Sequence, residues 1–522
     1  MTCGGWRAVV VVGLAAATAA HADPAPGELR VGVRHLPASV DPATAGGPHD
    51  AMVFRHLYQG LVEFGERGDV EPSLATHWSV SRDGLTWSFR LRPDVRFSNG
   101  ASLTPDVVVA SLARHLAPEE PPPEAPAWSR LFQGPSALVR EVRRGDGGTV
   151  QIHLGQPFSP LLALLAHPAL GVVVTQNGSE VPFLGTGPYR VVERRPGRLV
   201  LEADAGPPGR PTGPSRLVFL EMADDAAGLA ELGPRGGLDV YLSLAPPAWA
   251  GIGLQVLSAP TWQMGLLALR ATPGALDKKA ARQAVAHSLD PALLRAALGR
   301  WATPLAAYLP PGTWGAHAVA PLPHDPARAR RLFGRPGPGP LTLLAAEAPS
   351  GPDALRLAEA IRVALAVAGV KVEVRTESAE AYLPALRQGD GQLALFETTV
   401  EVNDPHFTFR SLVASDAATP GSATNVAFYR SPLVDGLLGR GSQIAFRPER
   451  LRLYQRLQAH LAEELPYIPL YVRLQWAVAR PAVRGLRLDP AGRHRLDRVW
   501  IDSAADAGPG SPAGSPRPGR SP

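Results

Sequence analysis

The chain predicts an α/β fold, and two observations carry that expectation. Beyond Pro340, short apolar runs alternate with amphipathic stretches: residues 341–345, 370–374 and 393–397 read as strands, 354–368 and 380–388 as helices. Leu357, Ile361 and Leu365 fall on one face of the first of these helices, which Gly369 stops. Strands alternating with helices imply a largely parallel sheet covered by helices. The second observation is the balance of residue types. With 45% hydrophobic and 19% charged residues the chain sits among globular proteins, and 522 residues suffice for two or three domains with substantial cores.

Taken in order, the first segment has the form of an export signal. Arg7 supplies a positive region, residues 8–20 an apolar one, and Ala20-His21-Ala22 a small-x-small cleavage site before Asp23. The other reading is an uncleaved anchoring helix, for which the apolar run is too short to span a bilayer. The single cysteine, Cys3, precedes the apolar run, so it is not placed to become the lipid-bearing first residue of a mature lipoprotein. Cleavage after Ala22 leaves no cysteine, which excludes disulfides and thiol chemistry. It also removes Arg7, the one Lys, Arg, Asp or Glu before Asp23, and so takes the formal charge from +5 to +4. Arginine pairs at 143–144 and 194–195 have no interleaved aromatics; they read as solvated faces, and no nucleic-acid partner is expected.

Residues 29–33 alternate as a strand and lead to Val40-Asp41-Pro42. Residues 50–64 read as a helix, with Met52, Phe54, Leu57, Tyr58 and Leu61 at three- and four-residue spacings, ended by a polar turn at 66–69. A turn at 81–84, a strand at 85–91, a turn at Asn99-Gly100 and a helix opening at Thr104-Pro105-Asp106 follow. Residues 118–126 are a proline-rich surface loop, 149–154 a strand and 160–165 a short buried helix. The glycines of Gly185-Thr186-Gly187-Pro188-Tyr189 read as a tight turn: a phosphate loop would enter a helix, whereas Pro188 and an alternating strand follow here. Asp325 caps another helix, with Pro326 at its first position. Residues 451–464 read as the last long helix. The final stretch, 503–522, is rich in Gly, Pro, Ser and Ala and reads as a disordered tail.

Catalytic signatures are missing: there is no H-E-x-x-H, C-x-x-C, G-x-S-x-G or Walker loop. His49 and His56 lie seven residues apart, and His317 and His324 flank a proline-containing loop. A zinc pair needs closer spacing and a third ligand. No catalytic residue, metal site or cofactor is predicted.

Several of these strings resemble the family 5 extracellular solute-binding proteins, the dipeptide, oligopeptide and nickel receptors of bacterial import systems. Pro72, Leu74, Ala75, Trp78, Val80, Ser81, Asp83, Gly84, Phe89, Leu91, Arg92, Val95, Phe97, Gly100, Thr104, Asp106, Val107 and Ser111 fall in the places of that family's long signature. GTGPY at 185–189, the helix at 280–290, AAYLPPG at 306–312, DPARARRL at 325–332 and PYIPLY at 466–471 resemble further family strings. The likeness covers residues 29–502. It implies a bilobal α/β periplasmic-binding-protein fold, the type II-like large family 5 variant. A large lobe would comprise 23–262 plus 477–502 and a small lobe 263–476, with a double-crossing hinge near 262–269 and 471–479.

The same resemblance implies where the ligand sits. ETTVEVNDPHFTF at 397–409 is similar to the family's W-x-x-D-x-x-D-P-x-x-F-L loop, in which an aromatic lines the cleft and the first Asp pairs with a peptide ammonium. Asp404-Pro405 aligns with the D-P, which puts Glu401 in place of the amine-binding Asp and Thr398 in place of the Trp. Glu401 is either a partner for a ligand ammonium, at about 1.5–3 kcal/mol for a charge-assisted bond, or an exposed loop acid. Asp404 reads as a helix cap. Trp262 and Gln263 stand at the first crossing and suit either a solute cleft or hinge packing. His35 and Leu36 follow the first strand, where family members offer backbone groups to ligand. The function so implied is that of a monomeric, non-lipidated periplasmic receptor. It would deliver a peptide or related small solute to an ABC transporter permease, meeting the membrane only through that permease. The departures at Thr398 and Glu401 keep open a receptor for an opine, sugar, haem or other organic solute. A secreted enzyme and a chaperone are the remaining alternatives.

Overall fold

The computed structural model describes residues 27–502 except for 45–46, 66–67, 118, 120–128, 136, 177–182, 205–212, 233–236, 249–252, 336 and 348–353. The export signal, most of the 118–126 loop and the 503–522 tail therefore lie outside the described residues.

Two long strands organise the rest. Gln255–Leu269 and Tyr467–Ala479 run antiparallel through the middle of an eleven-stranded sheet. On one side of this pair stand Val240–Ser243, Glu28–Val33, Arg216–Glu221, Arg198–Ala203 and Tyr189–Arg195; on the other stand Leu393–Thr399, Leu341–Ala346 and Val372–Glu377; the eleventh strand, Ala302–Pro304, pairs with part of Tyr467–Ala479. Side-chain alternation shows that the second half is covered on both faces. Leu266 and Ala268 join one core with Tyr308, Tyr454 and Tyr467, while Leu267 and Leu269 join another with Leu343, Ile361 and Leu365. A separate four-stranded antiparallel sheet, in the order Ala75–Val80, Thr86–Leu91, Thr149–Leu154 and Val139–Arg144, carries Phe89, Val150 and Ile152 into a further core, shared with Leu29, Phe54 and Leu161.

The largely parallel arrangement expected beyond Pro340 is found there, and a second parallel group lies elsewhere in the sheet. Leu341–Ala346 is parallel to both of its neighbours, and Glu28–Val33 to both of its own. The central pair is antiparallel because the chain enters the 263–476 segment along one strand and leaves along the other, so the sheet is mixed. The helix expected at 50–64 also ends early. Pro48–Leu57 is helical, Tyr58 turns extended, and Val62–Phe64 pairs antiparallel with Val70–Pro72 as a hairpin. Gly60 permits the break, since a Cβ there would lie 2.8 Å from the Leu165 carbonyl oxygen.

At the GTGPY turn the two glycines serve close approach. A Cβ on Gly185 would sit 2.0 Å from the Leu57 carbonyl oxygen and one on Gly187 2.4 Å from the Leu57 carbonyl carbon, so this turn packs against the end of the first helix.

At Gly265 the long pair approaches closely. A Cβ at that position would lie 2.1 Å from the ring of Tyr471, which packs over the strand. Gly265→Ala is expected to lower stability by about 1–3 kcal/mol through overpacking. A thermal melt superimposable on that of the wild type would contradict this packing.

Candidate functional site

The central pair is not regular throughout. Its register shifts between Pro260 and Met264, and Trp262 sits within that bulge. Bulges re-aim side chains, and here the backbone of Trp262 is taken by two other segments. Its N–H donates to the Pro490 carbonyl at 2.7 Å, and its carbonyl accepts from the Val400 N–H at 2.9 Å. The buried indole forms part of the wall of a cavity of about 370 Å³. The hairpin residues Glu63 and Phe64, together with His167 and the 489–497 segment, close the same cavity.

Three arginines line it, and their guanidiniums have different partners. Arg55, from the first helix, donates to the Arg493 carbonyl and lies 3.9 Å from Asp489. Arg495 makes a two-pronged contact with Asp497, at 3.3 and 3.0 Å. Arg493 is buried, with its guanidinium carbon 4.9 Å from the Phe64 ring centroid and 5.2 Å from that of Trp262. Burial, followed by the neighbouring Arg495 and Arg493, pulls Arg55 down to about 10, which leaves it charged at neutral pH.

The 489–497 segment is anchored by two neutral histidines. His56 Nδ1 lies 2.7 Å from the Met52 carbonyl, a bond that makes Nδ1 the donor and lets Nε2 accept from the Leu496 N–H at 3.1 Å. His494 Nδ1 accepts from the Asp489 N–H at 3.0 Å. Burial pushes both imidazoles down to about 4. For His56, the opposing pull of Asp497, 3.7 Å away, does not overcome the desolvation.

Of the ligand-site residues expected from sequence, Trp262 alone is among those lining the cavity. Gln263 donates to Glu397 at 2.7 Å. Thr398 is half-buried in the strand Leu393–Thr399, opposite Met264. Asp404 is buried, caps the helix Pro405–Val413 by accepting from the His406 N–H at 3.0 Å, and pairs with the buried Arg450 at 2.8 Å. Its carboxylate is therefore committed to the protein's own groups. His35 is exposed, 3.6 Å from Glu221, and Leu36 packs against the core that contains Phe54 and Phe89. Glu401 is exposed, as the loop-acid alternative had it, and has no ion-pair or hydrogen-bond partner among the described residues. It follows Val400, whose N–H holds the Trp262 carbonyl, and the protein around it desolvates its carboxyl enough to raise it above the ordinary range.

Sequence reasoning missed Phe64, His167, Arg493 and a second polar cluster on the sheet. In that cluster Glu397 accepts from Gln263, from the Tyr471 hydroxyl at 2.8 Å and from Arg473 at 3.5 Å. The density of charge in the 489–497 stretch, DPAGRHRLD, was the one available signal for Arg493.

An α/β sheet that the chain crosses twice, with an aromatic and charged cavity at the bulge of one crossing strand, describes a class of protein built to hold a small solute. The comparisons agree. The chain belongs to the bacterial extracellular solute-binding proteins, family 5, whose model matches residues 69–420. It is 26% identical over 485 residues to the glutathione-binding protein GsiB of Escherichia coli (strain K12), covering 89% of this chain and 92% of that one. It is 28% identical over 485 residues to the probable di/tripeptide-binding protein 5 of Pseudomonas aeruginosa (strain UCBPP-PA14), covering 85% and 90%. Among solved structures, HbpA2 from Haemophilus parasuis superposes with a TM-score of 0.78 over 91% of this chain and 99% of that one, at 22% identity. The family is one of receptors. Among the described residues no helix is long and apolar enough to cross a membrane, and no group of three or more His, Cys, Asp or Glu could hold a metal ion.

Two outcomes follow from this geometry. Asp404→Ala is expected to cost about 3–5 kcal/mol by stranding Arg450, read as a lower melting temperature; an unchanged melt would remove Asp404 from its structural role. His56 and His494 bind protons more readily unfolded than folded, so their contribution is complete above about 6.5 and is lost as pH falls toward about 4. Melting temperature should therefore decline across that window, with faster amide exchange in 489–497. A protein equally stable at both ends of the window would refute the neutral anchors.

Proposed function

We propose that this protein is an extracytoplasmic receptor that captures a peptide or related small solute and delivers it to the permease of an ABC transporter, without catalysis. The observation that carries the reading is the 370 Å³ cavity, lined by Trp262, Phe64 and charged side chains, in a family 5 chain. Its size is at the lower end of the ~300–1,000 Å³ usual for ligand sites, which favours a short ligand. The names of the relatives point the same way, one to glutathione and one to di- and tripeptides.

In this reading residues 23–262 with 477–502 form the large lobe and 263–476 the small lobe, closing about the two crossings. Contacts between these segments support it: Asn403 donates to the Gly68 carbonyl at 2.8 Å, and Arg447 pairs with Asp69 at 2.7 Å. Glu401 takes the ligand's ammonium. Its carboxyl is exposed, has no partner among the described residues and is raised by the protein around it, so an arriving cation would offset the cost of its ionisation. Export through a signal cleaved after Ala22, without lipid attachment, completes the proposal.

The test is a thermal-shift screen of the purified protein with di- and tripeptides and glutathione, each with a free and an acetylated amino terminus. Ligand at ~100 times its Kd stabilises by about 2.7 kcal/mol. A shift confined to free amines, and weakened in Glu401→Gln, is the expected result. No shift with any peptide would defeat the peptide reading in favour of another organic solute.

A further inference from the structure

The cavity wall offers one cation without a counter-charge. Arg55 is occupied by the Arg493 carbonyl and Asp489, and Arg495 by Asp497. The Arg493 guanidinium has no hydrogen bond and no carboxylate within ion-pair distance among the described residues, although its residue is only 6% exposed. Glu63, in the same wall, does not reach it. Asp489 is bonded to the Arg493 backbone N–H, at 3.4 Å, and acts on the guanidinium only at longer range. A charge held this deep without a partner is costly. The two aromatic rings beside it offset part of that cost and fix its position, while leaving the N–H edge free for a planar anion. Desolvation lowers its affinity for the proton, with Asp489 opposing, which is the signature of a buried cation incompletely compensated.

A second donor belongs to the same wall. His167 Nδ1 accepts from the Ala169 N–H at 3.2 Å, so the ring proton is on Nε2, which has no partner among the described residues. Burial, and then the charge of Arg493, pushes this imidazole down to about 3, so it is neutral at physiological pH.

We propose that Arg493, assisted by His167 Nε2–H, is the seat of a carboxylate of the ligand, so that the solute captured is an acid whose carboxylate enters the cavity between the hairpin and the 489–497 segment. This rests on the cavity being the ligand site and refines the solute class. For a short peptide the carboxylate is the free carboxyl terminus or, in glutathione, one of its two carboxyl groups. A guanidinium offers a carboxylate two parallel N–H···O bonds, which a lysine ammonium cannot reproduce.

Isothermal titration of the whole protein tests this with Ala-Leu, Ala-Ala-Ala and glutathione, each against its carboxyl-amidated form, and with succinate, glutarate and citrate as acids lacking a peptide bond. The wild type should bind acids about 10- to 100-fold tighter than the matching amides. Arg493→Gln should lose that preference, and Arg493→Lys should keep only part of it. Amides bound as tightly as acids by the wild type would overturn the seat while leaving peptide capture intact. Binding of the non-peptide acids alone, abolished in Arg493→Gln, would keep the seat and defeat the peptide reading. A wild type indifferent to every carboxylate, or an Arg493→Gln variant with undiminished acid preference, overturns the proposal. The acid-against-amide comparison uses only the wild type, so it stands even if the variants fold poorly.

Discussion

The antiparallel pairing of Gln255–Leu269 with Tyr467–Ala479 is the constraint on which the rest depends. These two strands are the middle of the sheet, so everything that packs on either half is referred to their register. Where the register is regular, side-chain alternation sorts Leu266 and Leu267 into different cores and fixes helices on both faces. Where it slips, between Pro260 and Met264, the ladder leaves main-chain groups unclaimed by the neighbouring strand. Trp262 then bonds Pro490 on one side and Val400 on the other. The irregularity of the strand thus brings the cavity wall, the C-terminal segment and the loop bearing Glu401 into one place.

That C-terminal segment contributes no long regular element at the site, and polar contacts hold it. His56 accepts from Leu496, His494 from Asp489, and Arg55 donates to Arg493, so the first helix and the segment's own side chains supply what a sheet ladder would have supplied. Buried polar groups favour a unique geometry only when each is satisfied. The neutral state of the two histidines is essential here, since each uses a ring nitrogen as an acceptor and protonation would turn it into a donor facing another donor. Placement of Arg493 is therefore linked to the protonation of residues outside the cavity wall.

Much of the fold was legible because its signals are local. Thr104 and Asp325 cap helices as their sequences suggest, and residues 149–154 form the strand that their alternation describes. The failures were non-local. Residues 61–64 continue the helical spacing of the first helix, but pairing with residues 70–72 takes them into a hairpin. The direction of the central strands depends on a chain path hundreds of residues long, which no window of sequence contains. In the site, the family-like loop at 397–409 holds three carboxylates, of which Glu401 and Asp404 stand three residues apart. A remote arginine, Arg450, separates them: it pairs with Asp404 in the interior, whereas Glu401 has no such partner. Nothing in the spacing of the loop announces which acid the arginine takes.

The same reasoning separates the arginines of the cavity. Residue type and proximity would treat Arg55, Arg493 and Arg495 alike, and their summed charge would be matched by Glu63, Asp489 and Asp497 in the same wall. A count of charges therefore predicts a neutral pocket with no preference. Partners break that symmetry: Asp497 and Asp489 are engaged by neighbouring side chains and backbone, which confines the unspent charge to Arg493 and Glu63. Because paired charges are already stabilised in place, they gain little from a ligand, whereas an unpaired desolvated charge gains its missing hydrogen bonds on binding. Selectivity in such a site resides in the groups that folding leaves unsatisfied, and here the most buried charge among them is the Arg493 guanidinium.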